Sequence, residues 1–264
     1  MLLLSSSLVY INSESVNEAV SSTVETRNTD ESPLVGLAEE EFWPVLRVSF
    51  PAKPFPNSQL GHLFEGDNSA QQYISEISGG DSQLTTTIVG DTWASPYAES
   101  HWGTDSDTER DTGADSGGVR ELAREAIIST FSGPNWDQNL DISQWDLDGD
   151  FIIDRLLILH SGQPQEEGGP STSIWSHFSY FYEPVKVGEY TFEHYTMASV
   201  HGGLGVLIHE MLHQMGAIDL YDVHSDSPTR NWHGLGDWDV MASGNWVDDL
   251  SLIHISEPTR RHLI

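Results

Sequence analysis

The sequence predicts an α+β fold: a twisted, mostly parallel sheet with helices packed on it, ending in a mainly irregular C-terminal part. Three observations carry this expectation. Two runs, FWPVLRVSF from Phe42 and DRLLILHSG from Asp154 to Gly162, have the apolar, partly β-branched composition of strands, and the second has the look of a buried central strand. Between them, Val119, Leu122, Ala123, Ala126, Ile127 and Phe131 recur at spacings of three and four, the pattern of a helix over Val119 to Phe131. A third apolar stretch, Leu204 to Met215, has the same helical spacing and carries two histidines four residues apart.

In chain order, residues 12 to 40 are rich in Ser, Thr, Glu and Asn and bury little apolar surface, so they read as linker or propeptide. The preceding MLLLSSSLVYI is apolar but too short to span a bilayer and lacks a basic flank, and it reads as a signal remnant. Order is expected from about residue 41. A short helix fits Ser69 to Ile77 and a second strand fits QLTTTIVG, whereas HWGTDSDTERDTGADSGG, from His101 to Gly118, reads as a polar surface loop. The tail LSLIHISEPTR, from Leu250, has neither the composition nor the acidity of what precedes it and resembles a translated sequencing adapter. The expected organisation is therefore residues 1–40 as signal remnant and propeptide, 41–249 as a C-terminally truncated catalytic domain, and 250–264 as a non-native tail.

Acidic residues number 41 against 11 basic ones, giving a formal charge of −30. Such a surface repels phosphate backbones, which argues against nucleic acid as a partner, and suits saline surroundings where repulsion is screened. The chain has no cysteine, so disulfides, thiolate metal sites and cysteine nucleophiles are excluded. No stretch is long and apolar enough to predict a stable membrane span, and the oligomeric state is not written in the sequence.

The most informative segment is HEMLHQMGAID, from His209 to Asp219. Histidines four apart on a helix share one face, so both imidazoles can reach one ion. Glu210, beside the first, can reach a water bound to that ion without being a ligand. Gly216 permits a left-handed turn that ends the helix, after which the chain can double back and present Asp219 as a third ligand. Three protein ligands leave a position for water, the requirement of a catalytic zinc site. A second ion is suggested by DLDGDFIID, where Asp146, Asp148, Asp150 and Asp154 place carboxylates at spacings that could wrap calcium; the pattern departs from an EF-hand, with Gly149 too early and Leu157 where a glutamate would stand.

HEMLHQMGAIDLYD, together with GLGDWDVMASGNW from Gly234 to Trp246, resembles the immune inhibitor A family of metzincin-type secreted metallopeptidases. VLRVSF, DISQWDLDGDFIIDRLLILHSG and IWSH (Ile174 to His177) support the likeness, which covers roughly Phe42 to Trp246. The resemblance implies a secreted zinc-dependent endopeptidase acting on protein or peptide substrates, with Met241 as the methionine of a Met-turn, an apolar floor beneath the metal. In such a site Glu210 is expected to take the proton of the zinc-activated water and hand it to the departing amine. No oxyanion-stabilising group is legible: His201, His224 and His233 lie nearby in sequence but read as loop histidines. The competing readings are a noncatalytic zinc- or calcium-binding module descended from a peptidase, an acidic calcium-dependent adhesion or structural protein, and a metal hydrolase acting on a nonpeptide amide. Glu210 argues against the first of these, since a pure binder has no need of it.

Overall fold

The computed structural model describes residues 33–56, 60–113, 117–133, 136–137, 139–221 and 234–246, and for Trp246 the backbone alone. The expected signal remnant and the adapter-like tail lie outside these residues, as do His224 and His233.

Strand β1 (Glu40–Ser49) is the axis of the sheet. It pairs in parallel with β2 (Gln83–Ile88) over its first half, with the two-residue β3 (Trp93–Ala94) at its end, and with β4 (Leu157–His160) on the other side. Pro44, which has no ladder donor, lies one residue outside the register that β1 shares with β4, beginning at Val45↔Leu157. Beyond β4 lies β6 (Tyr190–Ser199), also parallel, and β5 (His177–Val187) closes the sheet as an antiparallel partner of β6, giving the order β2-β1-β4-β6-β5. The expectation of a mostly parallel sheet matches this mixed α/β arrangement. The long β5–β6 hairpin was not expected; its register slips between Tyr180 and Val185, the stretch that contains Pro184.

Helices cover both faces, and every residue of β4 is buried. One apolar cluster joins Val45, Leu157, Leu159 and Ala198 to α5 (Leu204–Gln214) and to α1 (Leu60–Phe64) and α2 (Ala70–Ile77), with Ser69 capping α2 through Gln72 N at 3.2 Å. The alternate residues Leu46, Val48, Ile158 and Met197 face the opposite cluster, filled by Val119, Leu122, Ala126 and Ile127 of α4 (Gly118–Ser132). The segment expected to be a loop from His101 opens inside a short helix, α3 (Glu99–Gly103), held by the buried ring of Trp102.

The two faces are tied together by a charge pair that the sequence does not advertise. Arg155 and Glu41 are both fully buried and form a bidentate pair at 2.7 and 3.0 Å. Arg155 also donates to the carbonyls of Gly36 at 2.8 Å, Asp154 at 3.1 Å and Gln214 at 3.4 Å, while Trp43 Nε1 donates to Glu41 at 2.8 Å. The start of β1, the approach to β4 and the end of α5 thus converge on one guanidinium.

Candidate metal centre

Helix α5 lies against the sheet by its apolar side, with Leu204, Leu207, Ile208 and Met211 buried. Its orientation is fixed by polar contacts as well. Gln214 is fully buried, accepts from Leu156 N at 3.2 Å and Thr196 Oγ1 at 3.1 Å, and bonds His194 Nδ1 at 2.8 Å. The helix ends at Gly216, whose φ of +90° is the left-handed turn expected there. Doubling back, the chain brings Asp219 to the two imidazoles.

The three ligating atoms form a small triangle. His209 Nε2 and His213 Nε2 are 3.1 Å apart, and Asp219 Oδ1 lies 3.1 Å from the first and 3.3 Å from the second. Ligands at zinc-bond length in a tetrahedron stand roughly 3.3 Å from each other. Each imidazole is held by its other nitrogen: His209 Nδ1 donates to the Val240 carbonyl at 2.7 Å and His213 Nδ1 to the Ala217 carbonyl at 2.9 Å. With the protons on Nδ1, both Nε2 atoms present lone pairs. Asp219 Oδ1 is buried and, among the described residues, has no hydrogen-bond partner beyond the two imidazoles. In the neutral rings the two Nε2 lone pairs and the Asp219 carboxylate oxygen face one another, a donor set that fits a divalent cation such as zinc.

Glu210 is buried beside this triangle, its Oε1 4.0 Å from His209 Nε2, and burial pushes its carboxyl up to about 7. Tyr221, which has no signal in the motif, stacks 6.5 Å from the His209 ring. Its proximity follows from the same reversal that delivers Asp219. His201 is exposed in the turn before α5. Val240, Met241 and Ala242 are buried; Met241 N is held by Asp239 Oδ1 at 2.9 Å, and Met241 O accepts from Leu220 N at 2.8 Å. Met241 belongs to the apolar cluster packed against α5.

At the second predicted site, Asp146, Asp148 and Asp154 come within 4.8 Å of one another. Asp150 is not of that group: its Oδ1 accepts from Ile152 N at 2.8 Å. Asp146 accepts from the amides of Gly149, Asp150 and Phe151 at 2.8 to 3.1 Å, and Asp154 from Leu147 N at 2.6 Å. Burial pushes the Asp154 carboxyl up to about 6.

A sheet backed by a helix that presents two imidazoles and a glutamate, with a carboxylate delivered by the turn that follows, is the architecture of a metal-dependent peptidase. Residues 55–259 match the family model for the immune inhibitor A peptidase M6 catalytic domain, and the chain belongs to that family. It is 29% identical over 205 residues to Immune inhibitor A of Bacillus thuringiensis subsp. alesti, and 30% identical over 208 residues to the Pre-pro-metalloprotease PrtV of Vibrio cholerae serotype O1 (strain M66-2). Each alignment takes in 69% of this chain but only 29% and 22% of those relatives, so the chain spans less than a third of their length.

Proposed function

We propose that the chain is the catalytic domain of a zinc-dependent endopeptidase acting on protein substrates, with His209, His213 and Asp219 holding the ion and Glu210 as general base. The observation that carries this reading is the triangle of His209 Nε2, His213 Nε2 and Asp219 Oδ1 at 3.1 to 3.3 Å, whose imidazoles are fixed through Nδ1. When bound, zinc supplies Lewis acidity, polarising the scissile carbonyl and bringing a water toward neutral pKa. Glu210 stands next to the ligand set rather than in it, takes the proton of the attacking water and returns it to the leaving amine. Val240 and Ala217 keep the imidazoles in one tautomer throughout.

Met241 serves as the apolar floor of a metzincin-like Met-turn; its burial against α5 and the adjacent Val240–His209 bond support this. Extended substrate adds along β5, which among the described residues pairs on one side only. Residues 41–249 are assigned to a truncated catalytic domain, 1–40 to a signal remnant and propeptide or linker, and 250–264 to a non-native tail. A pre-pro form is named for PrtV, and with the acidic composition it supports export of this protein. Among the described residues no helix is long and apolar enough to cross a membrane. The Asp146, Asp148 and Asp154 cluster is offered as a calcium site, with Asp150 shaping the loop.

The zinc-loaded protein should cleave casein, and Glu210→Ala should lower the rate by roughly 10²- to 10⁴-fold, the span of general-base contributions, while retaining its zinc by atomic absorption. A folded, zinc-bearing parent that leaves casein intact would instead favour a noncatalytic metal-binding module.

A further inference from the structure

A cleft of about 450 Å³ opens beside the N-terminal half of β5, between that strand and the segment leading into α4. In a chain with formal charge −30, its walls carry two of the 11 basic residues, Arg110 and Arg120, together with Glu109 and Asp111; Asp111 accepts from Trp175 N at 3.1 Å, and burial pushes its carboxyl up to about 8, toward the neutral form. The Arg110 guanidinium carbon lies over Trp175, 3.5 Å from the ring centroid, and that of Arg120 sits 4.4 Å over Tyr182. Arg120 is held by the Tyr180 carbonyl at 3.1 Å and the Tyr182 hydroxyl at 2.9 Å. The other cations with mapped ion pairs, Lys53, Arg124 and Arg155, are matched to Glu99, Glu121 and Glu41; among the described residues neither Arg110 nor Arg120 forms an ion pair with a carboxylate. Arg120 thereby spends Nε and one Nη1 proton on Tyr180 and Tyr182 and keeps its Nη2 group for a ligand, while the Arg110 guanidinium over Trp175 can offer a planar, bidentate edge.

The cleft is coupled to the metal centre through short links. Glu166 accepts from Ser176 N at 3.1 Å and from Ser176 Oγ, fixing the strand entry that carries Trp175 and His177. Its neighbour Glu167 accepts from Gly203 N, the residue preceding α5, at 2.8 Å.

We infer that this cleft is a specificity subsite for a carboxylate of the peptide substrate, gripped by Arg110 and Arg120. The inference rests on the peptidase reading and deepens it: the enzyme selects acidic peptides although its overall charge repels them. The carboxylate comes from a glutamate or aspartate side chain near the scissile bond, or from a free C-terminus.

The test measures binding apart from cleavage. The Glu210→Ala protein, full length and zinc-loaded, is titrated by fluorescence anisotropy with fluorescein-labelled peptides carrying one glutamate or one glutamine, scanned along an otherwise fixed sequence and capped as the C-terminal amide. A parallel series has the free acid. At one position the glutamate peptide should bind about tenfold more tightly than its glutamine twin, the scale of a charge-assisted contact, with the advantage shrinking as salt is raised. If the preference follows the free C-terminus rather than a side chain, the α-carboxylate is the occupant. The preference should collapse in Arg110→Gln and Arg120→Gln and persist in part in Arg110→Lys, which keeps the charge. Equal binding of glutamate and glutamine peptides in both series, or a preference untouched by both arginine substitutions, would overturn the inference. Failure of the parent to cleave any of the peptides would instead overturn the peptidase reading.

Discussion

His160 ends β4 with its ring fully buried; Nδ1 accepts from Gly162 N at 3.1 Å and, among the described residues, Nε2 has no hydrogen-bond partner. Burial pulls its pKa down to about 3 from an ordinary 6.5, so folding favours the neutral ring. The stability this provides is complete above pH 6.5 and is lost progressively as pH falls from there toward 3, at up to about 1.4 kcal/mol per pH unit. Urea midpoints measured across that window should fall more steeply for the parent than for His160→Asn, which can accept from Gly162 without titrating. At this scale the sequence was readable where spacing alone sets geometry: His209, His213 and Asp219 meet as a helical period followed by a glycine turn requires. Gln214, Tyr221 and the arginines of the cleft were not, because their roles depend on strands and loops distant in the chain.

At the scale of the element, α5 is gripped from outside by the segment after the long turn. A Cβ on Gly205 would stand 2.4 Å from the Asn245 carbonyl oxygen and 3.0 Å from its carbon, both backbone atoms that cannot step aside cheaply. Gly205→Ala should therefore cost about 1–3 kcal/mol despite alanine's better helix propensity, read as a lowered thermal midpoint. It should weaken zinc retention too, since Asn245 and the Val240 that holds His209 belong to one short stretch. Helices α2, α4 and α5 and strands β1, β2 and β4 were legible because each has an apolar period or a short apolar run with clear boundaries. The β5–β6 hairpin was not: on β5 the exposed Tyr182, Glu183 and Pro184 run consecutively, breaking the alternation that betrays a strand.

Across the whole molecule, the buried Glu41–Arg155 pair joins elements that the chain separates by 114 residues. Removing one partner leaves an uncompensated charge in the core, so Glu41→Ala should destabilise by about 3–5 kcal/mol, measured by chemical denaturation. An indifferent response would show that water reaches Arg155 once its partner is gone. The Val240 carbonyl that receives the His209 proton sits 31 residues downstream of it, across the return loop. A chain whose C-terminal segment has not yet docked has a histidine free to take either tautomer and to turn away from the ion. Metal capture is thereby tied to a late event of folding, because the site is set only once the segment that carries Val240 has found its seat against the helix.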